Sequence, residues 1–192
     1  MEPQRASSEL GLPNRQHRRS VEIRAYLVRA DGEIVDLRVL DLSYDGCGVE
    51  TVVPLRPEEK IKLSVLGRGA ATATVRWCKG RKAGVRFESD EAERRQPSAR
   101  EERSLVAGEV VLRRSGSPNY RVKVVDVTRF GCRCEFVERP RIEERVWVKF
   151  DGLEALEGTV RWVEGHTGGV RFTRRLHNAV FDALAAVSKP QP

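Results

Sequence analysis

The chain has 192 residues and a net charge of +7; 33% of its residues are charged and 40% are hydrophobic. This length allows one large domain or two of about 90 residues, and the composition is that of an ordinary globular protein. Apolar runs stay short of the roughly 18 residues that cross a bilayer, and residues 1–14 lack a signal-peptide core, so we expect a cytoplasmic protein without a membrane span.

The first half of the chain has the pattern of short β-strands. Apolar and charged residues alternate, as in residues 60–63 (KIKL), and a period of two is typical of half-exposed strands. Turn signals separate the runs, the strongest being Asp31-Gly32. The predicted strands cover residues 21–29, 34–42, 46–53, 60–66, 70–78 and 83–88, with a turn or short helical piece at 54–59. Six such strands predict a small barrel.

The second half repeats the first with a shift of 85 residues. Residues 15–87 align with 100–172 without a gap, and 25 of these 73 positions are identical. A repeat of this length is a domain and not a solenoid unit. The fold class is therefore mainly all-β, with two tandem six-stranded barrels.

The segments around the two copies have different compositions. We predict a flexible tail over residues 1–14, a first barrel over 15–90, a charged linker over 91–102 with a helical turn near its start, and a second barrel over 103–188. Apolar residues recur at helical spacing after the last strand: Leu176, Val180, Phe181, Leu184 and Val187. They predict an amphipathic C-terminal helix packed on a barrel.

The cysteines and histidines do not form a recognisable metal or disulfide pattern. Cys132 and Cys134 have C-x-C spacing without a second ligand pair nearby, and the three histidines are scattered. We expect small buried thiols and no metal.

Positive charge is spread evenly over the two halves. Dividing the chain after Pro97 gives 18 basic and 15 acidic residues, then 17 and 13, or +3 and +4. With 6% aromatic residues, this distribution disfavours a nucleic-acid-binding protein. Residues 15–29 hold five arginines and one acidic residue; the cluster is an anion site or a solvated arm, and composition by itself favours the arm.

Two short motifs lie in the first copy. Arg15 and Arg19 form R-x-x-x-R, while Asp41, Ser43 and Gly46 form D-x-S-x-x-G in the turn between the second and third predicted strands. In such a turn, Asp and Ser can cap backbone N–H groups and Gly can adopt φ > 0. The same carboxylate and hydroxyl can also face outward toward a planar ligand that carries N–H groups.

Together, at this separation and on this strand pattern, the motifs resemble the PilZ domain, a family of bacterial receptors for cyclic di-GMP. The resemblance covers residues 15–87 well and 100–172 partly. It implies PilZ-like barrels, no cofactor, and cyclic di-GMP as the ligand of the first barrel. The residues that it assigns to this ligand are Arg15, Arg19, Asp41, Ser43 and Gly46, with Arg18 and Trp77 as candidate additional contacts.

The chemistry of these residues suits that ligand. Arginine presents a planar fork to phosphate or to guanine O6 and N7, and it stacks on flat rings. The Watson–Crick edge of guanine carries N1–H and N2–H donors, which the Asp41 carboxylate can accept while Ser43 adds a hydroxyl. Arg15 and Arg19 precede the first strand, so they can close over a ligand held by the barrel.

The second copy departs from the motif. Arg100, Asp126, Thr128 and Gly131 form a degenerate site, because Ser104 stands where Arg19 would be. Losing one arginine removes a charge-assisted contact of about 1.5–3 kcal/mol, roughly ten- to a hundredfold in affinity. We therefore expect the second barrel to bind weakly or not at all, unless Arg103, which aligns with Arg18, substitutes through a shifted arm.

Two further pairs have a structural and a chemical interpretation. Trp77 and Trp162 occupy equivalent strand positions, and packing in the barrel core is favoured over ligand stacking. The acidic pairs at 58–59 and 143–144 are more simply charges at a helix start than an acid/base pair.

The leading hypothesis is a cyclic di-GMP receptor in which the ligand orders the arginine arm and changes inter-domain contacts, and which signals to a downstream protein partner. The alternative is a ligand-independent adaptor that docks a protein partner. We do not expect an enzyme, because the sequence displays no nucleophile–His–acid set, phosphate loop or metal-ligand spacing.

Overall fold

The computed structural model describes residues 23–65, 70–88, 104–116 and 118–187. The strands are β1 (Ile23–Val28), β2 (Ile34–Leu42), β3 (Gly46–Thr51), β4 (Lys60–Val65), β5 (Ala71–Lys79), β6 (Lys82–Phe87), β7 (Ser104–Arg114), β8 (Tyr120–Thr128), β9 (Gly131–Glu135), β10 (Arg145–Lys149), β11 (Leu156–Glu164) and β12 (Thr167–Phe172). One helix, α1 (Asn178–Val187), follows them in the described ranges. The predicted tail, the linker and its helical turn lie outside the described residues.

The strands close into two barrels of the same topology. The first has the order β1-β2-β3-β6-β5-β4, and the second repeats it as β7-β8-β9-β12-β11-β10. Neighbouring strands are antiparallel, and the β1–β4 and β7–β10 pairs close the rings. The predicted pair of six-stranded barrels is confirmed.

Alternation along the strands builds the core of each barrel. In β1, the side chains of Ile23, Ala25 and Leu27 are buried while those between them are mostly exposed. Alternate side chains of a barrel strand point inward, and moving apolar ones out of water is the main favourable term in folding. The largest fully buried residues accordingly come from many strands: Leu27, Val39, Val49, Leu63, Val75, Leu112, Val124, Val146, Val148 and Leu156.

The segment after the third strand is a turn in both barrels and not a helix. Its φ angle is positive at Glu58 (64°) and at Glu143 (66°), a conformation that side chains other than Gly rarely adopt. The next glutamate forms an ion pair with an arginine at the end of the first strand of its barrel. Glu59 pairs with Arg29 at 2.9 Å in the first barrel, and Glu144 pairs with Arg114 at 2.6 Å in the second. The interpretation of these acidic pairs as helix-start charges is therefore wrong.

The C-terminal helix packs its apolar side on the protein as predicted. His177 caps its N-terminus: the backbone N–H of Phe181 donates to the His177 carbonyl at 3.0 Å, and that of Ala179 donates to Nδ1 at 3.2 Å. Val180, Phe181 and Leu184 are buried, as is Leu176 just before the helix.

The two barrels contact each other through main-chain hydrogen bonds. The Leu42 N–H donates to the Gly152 carbonyl at 2.7 Å, and the Glu154 N–H donates to the Leu42 carbonyl at 2.9 Å. The imidazole of His177 stacks on the ring of Phe87 with centroids 5.0 Å apart. The end of β2 thus pairs with the loop after β10, while the start of α1 packs on the end of β6.

Candidate ligand site

A row of four residues crosses the outer surface of the first barrel beside the D-x-S-x-x-G turn. Register pairs Asp41 with Gly48, Gly48 with Gly84 and Gly84 with Trp77, across β2, β3, β6 and β5. Asp41 is exposed and Trp77 is 50% exposed. We call these four residues the first outer row: a carboxylate and an indole, with two glycines between them.

Two β-bulges place the ends of this row on the outside. The register of β2 shifts between Val39 and Asp41, and that of β5 shifts between Val75 and Trp77. Val39 and Val75 point into the barrel, so a regular strand would bury residues 41 and 77 as well. The extra residue in each bulge turns the next side chain to the other face.

This geometry corrects the interpretation of the tryptophans as core residues. Trp77 and Trp162 are 50% and 42% exposed, and both lie on the outer surface. A Cβ atom at Gly84 would lie 2.0 Å from Trp77 Nε1, and one at Gly169 would lie 2.1 Å from Trp162 Nε1. The indole therefore lies directly over a glycine in each barrel.

The motif turn is closed by backbone contacts. The Ser43 N–H donates to the Gly46 carbonyl at 2.9 Å, and the Phe87 N–H donates to the Asp45 carbonyl at 2.8 Å. The φ angle of Gly46 is not positive, so the turn does not use the conformation expected for this glycine. The glycine is required instead by the close approach of β6, because a Cβ there would lie 2.3 Å from the Val85 carbonyl oxygen. Ser43 is half-buried, and Asp41, two residues before it, is exposed.

Residues between the motif positions tie the turn to the second barrel. The Tyr44 hydroxyl accepts from the Glu157 N–H at 2.7 Å and lies 3.3 Å from the Glu157 carbonyl. The Tyr44 N–H donates to the Glu154 carboxylate at 3.0 Å, and the His177 N–H donates to the Tyr44 carbonyl at 2.8 Å. Burial raises the pKa of the Tyr44 phenol.

Arginines surround the turn on its exposed side. Asp45 binds Arg86 of the first barrel at 3.1 Å and Arg174 of the second at 3.2 Å. Arg174 also lies over the Tyr44 ring, 4.9 Å from its centroid. Arg76 is exposed and paired with Glu58 at 3.2 Å. Arg76 and Arg86 are both exposed to solvent.

The second barrel has an equivalent row that differs at one position. Register pairs Asp126 with Arg133, Arg133 with Gly169 and Gly169 with Trp162. These four residues form the second outer row, in which Arg133 replaces the glycine found at position 48. The row lines a cleft of about 290 Å³.

The carboxylate of the second outer row and the nearby Thr128 hydroxyl are both engaged within the protein. Arg133 Nη2 lies 2.7 Å from an oxygen of Asp126, which is 6% exposed. The Thr128 hydroxyl accepts from the Phe130 N–H at 3.1 Å and lies 3.3 Å from the Gly131 carbonyl. Asp126, Thr128 and Gly131 line the same cleft, and Asp126 and Thr128 are more enclosed than Asp41 and Ser43 of the first barrel.

The buried thiols are structural. Cys47, Cys132 and Cys134 are buried and Cys78 is half-buried, as predicted. Burial raises the pKa of the Cys47 thiol. The pKa of Cys132 is raised by its contact with Cys134, whose sulfur lies 3.6 Å away, and by burial. A thiol held protonated is a poor nucleophile and metal ligand. Among the described residues, no group of three or more His, Cys, Asp or Glu side chains could hold a metal ion.

Sequence reasoning located the motif residues and missed their neighbours. Gly48, Gly84 and Tyr44 were not identified, although the Gly84–Gly169 identity between the repeats was a usable signal. The predicted arm residues Arg15, Arg18 and Arg19, and Arg100 of the second copy, lie outside the described residues.

Comparisons with known proteins connect these barrels to one family. The family model for the PilZ domain matches residues 13–98 and again residues 93–187. A comparison with curated proteins gives no significant match. Within the described residues, no helix is both long enough and apolar enough to cross a membrane.

Several solved structures are similar at low sequence identity. The inhibitor of motility MotI/DgrA of Bacillus subtilis is 11% identical, with a TM-score of 0.35 over 88% of this chain and 95% of that one. PlzA of Borreliella burgdorferi, solved with c-di-GMP, is 10% identical, with a TM-score of 0.38 over 85% and 88%. YcgR of Escherichia coli, also solved with c-di-GMP, is 12% identical, with a TM-score of 0.33 over 86% and 82%.

The two family matches together span residues 13–187, and each contains one complete barrel with its outer row. The chain therefore belongs to the PilZ domain family, of which it carries two tandem copies.

Proposed function

We propose that this protein is a cyclic di-GMP receptor whose first barrel holds the ligand. The observation that carries the proposal is the first outer row, which presents a carboxylate and an indole on either side of two glycines, next to the D-x-S-x-x-G turn. Family membership supports the same ligand. The protein binds this ligand without reacting with it, and as a receptor for a second messenger it acts in the cytoplasm.

The chemistry of the row matches a guanine base. The N1–H and N2–H groups of guanine donate to Asp41, and Ser43, two residues further along the chain, adds a hydroxyl. Because Gly48 and Gly84 carry no side chain, the Asp41 carboxylate and the Trp77 indole can lie directly on the backbone at the two ends of the row. Trp77 then offers an aromatic surface at the far end of the row, and base–aromatic stacking is worth about 1–3 kcal/mol.

The arginine arm completes the proposed site. Arg15 and Arg19 supply charge-assisted contacts to the phosphates or to guanine O6 and N7, which are acceptors that suit a guanidinium fork. Arg18 is a candidate additional contact. Ordering the arm over the bound dinucleotide is the first half of the proposed signal.

The turn provides the second half of the signal. Asp41 and Ser43 face the proposed ligand, while Leu42 and Tyr44, which alternate with them along the chain, contact the second barrel. A ligand that shifts the turn therefore changes the inter-barrel contacts, which a downstream protein partner reads.

Isothermal titration calorimetry with cyclic di-GMP tests the proposal. We expect saturable binding by the wild type and a loss of roughly tenfold or more in affinity for Asp41→Ala and for Arg19→Ala, because each removes a hydrogen bond to a charged group. Asp36→Ala is the matched control: Asp36 is an exposed acid on the same strand, and we expect no change. Unaltered affinity in both site variants would refute this site.

The ligand-independent adaptor is the alternative function. It is favoured by the use of Leu42 and Tyr44 for contacts between barrels, which gives the motif turn a purely structural role. No binding of cyclic di-GMP by the folded wild type, together with stable capture of one protein partner, would favour the adaptor over the receptor.

A further inference from the structure

One position differs between two otherwise equivalent outer rows. Two residues after the motif glycine, β3 carries Gly48 and β9 carries Arg133. Gly48 offers Asp41 its backbone N–H, at 3.1 Å. Arg133 instead offers Asp126 a guanidinium, with Nη2 at 2.7 Å.

The guanidinium competes with guanine for the same acceptor. A guanidinium and the Watson–Crick edge of guanine both present adjacent N–H donors in one plane, and a carboxylate accepts either. The arginine is charged, and charge-assisted hydrogen bonds are roughly twice as strong as neutral ones. It is also tethered beside Asp126, whereas a ligand loses translational freedom on binding.

The surroundings make this ion pair hard to displace. Asp126 is 6% exposed, and removing the partner of a buried charge is strongly unfavourable. The Thr128 hydroxyl, which would assist a base, is 9% exposed and engaged in its own turn. Both polar groups of the second motif thus have partners within the barrel.

We propose that the residue two positions after the motif glycine decides which barrel accepts guanine: Arg133 closes the second site by occupying Asp126, whereas Gly48 has no side chain that could do the same at Asp41. This inference rests on the proposed function. The absence of an arginine at position 104 removes one ligand contact from the second barrel. The inference adds a second cause, because the Arg133 guanidinium itself takes the place of the guanine base at Asp126.

A different role for Arg133 makes the opposite prediction. Its Nε is buried and has no hydrogen-bond partner among the described residues, so a ligand could supply the acceptor. Arg133 would then replace the arginine missing at position 104, and the wild type would bind ligand in both barrels.

Counting cyclic di-GMP sites per chain by calorimetry separates these roles. We expect one site in the wild type and one in Ser104→Arg, which restores R-x-x-x-R. We expect two sites in the double variant Ser104→Arg/Arg133→Gly. Because Arg133→Gly leaves a buried carboxylate without its ion-pair partner, a version that also carries Asp126→Asn retains a carbonyl acceptor and removes the uncompensated charge. Circular dichroism verifies that each variant is folded.

The reciprocal change tests the same rule in the first barrel. Gly48→Arg should lower the affinity of the first site by at least about tenfold, since its guanidinium can pair with Asp41. Gly48→Ala is the size control: its Cβ would lie 2.7 Å from Asp41 Oδ1, so the carboxylate must shift slightly, and we expect a smaller loss.

The outcomes separate this inference from the proposed function. Two sites in the wild type, two sites in Ser104→Arg, or no added site in the folded Arg133→Gly variants would each overturn the inference, as would equal losses for Gly48→Arg and Gly48→Ala. If the wild type bound no ligand while Ser104→Arg/Arg133→Gly gained one site, the proposed function would fail and the inference would stand.

Discussion

At positions 84 and 169, a single hydrogen atom in place of a side chain allows an indole to cover the backbone. Any Cβ at Gly84 would overlap Trp77, whose Nε1 would lie 2.0 Å away. The Trp77 side chain would then have to move out of the row. Because this side chain is half-exposed, the move would cost few core contacts. The glycine therefore positions the aromatic end of the proposed site and contributes little to the core.

We expect Gly84→Ala to lower the affinity for cyclic di-GMP by roughly tenfold, in line with the worth of one stacked base, and to change the melting temperature little. Calorimetry and thermal unfolding measure the two effects. Gly108→Ala is the matched control, because Gly108 also lies on a strand and a Cβ there would meet nothing within 4 Å. Equal affinities for both variants would contradict a role for Trp77.

At the scale of elements, each barrel uses one arginine–glutamate pair to fasten the turn before its fourth strand. Arg114 binds Glu144 through Nε at 2.6 Å and through Nη2 at 2.9 Å, while the Arg141 N–H donates to the same carboxylate at 2.8 Å. Side chains of the pair are only 14% and 17% exposed. The hydrogen bonds from Arg114 hold the pKa of Glu144 below its usual value.

Glu144→Gln should lower the free energy of unfolding at pH 7 by about 1–2 kcal/mol, the worth of a hydrogen bond to a charged group. A carboxylate whose pKa is lower in the folded state contributes stability above its unfolded pKa, near 4.5, and loses it as the pH falls through the folded value. The difference between wild type and variant should therefore shrink below pH 4.5. Urea unfolding at pH 7 and pH 3 measures this.

Glu143→Gln provides the comparison for that experiment. Glu143 is 62% exposed and paired with Arg161 at 2.7 Å, and exposed pairs contribute about 0–1 kcal/mol. A Glu144→Gln deficit that stayed constant between pH 7 and pH 3 would show that the effect is not electrostatic.

At the scale of the whole molecule, one tyrosine joins the candidate ligand turn to the second barrel. Tyr44 is 7% exposed, and its hydroxyl contacts the main chain of Glu157 on β11. The same strand carries Trp162 of the second outer row. The arrangement gives the two sites a short physical connection, which is needed if ligand in one barrel is to affect the other.

Tyr44→Phe should leave the Glu157 N–H without its acceptor and speed its hydrogen exchange by about fivefold, corresponding to the roughly 1 kcal/mol of a typical hydrogen bond. Amide exchange followed by NMR reads this site directly. Tyr26→Phe serves as control, because Tyr26 is 37% exposed on the outside of β1. Unchanged exchange at Glu157 would mean that the hydroxyl does not hold the interface.

Much of the architecture was predictable because it is encoded locally. Alternation places β2 at residues 34–42 in both prediction and structure, and the 85-residue repeat required a second copy of whatever the first half formed. The C-terminal helix followed from its 3.6-residue period. These signals depend on neighbours in the chain, and barrel strands preserve them.

The sequence by itself determined two β-barrels, a terminal helix and a D-x-S-x-x-G turn in the first copy. Only the tertiary structure decided that Trp77 lies outside the barrel, because a bulge reverses the face that a period of two assigns to it. Cross-strand pairing likewise decided that Arg133 meets Asp126, and packing between distant segments decided that Tyr44 meets Glu157. Such contacts join residues that no local pattern relates.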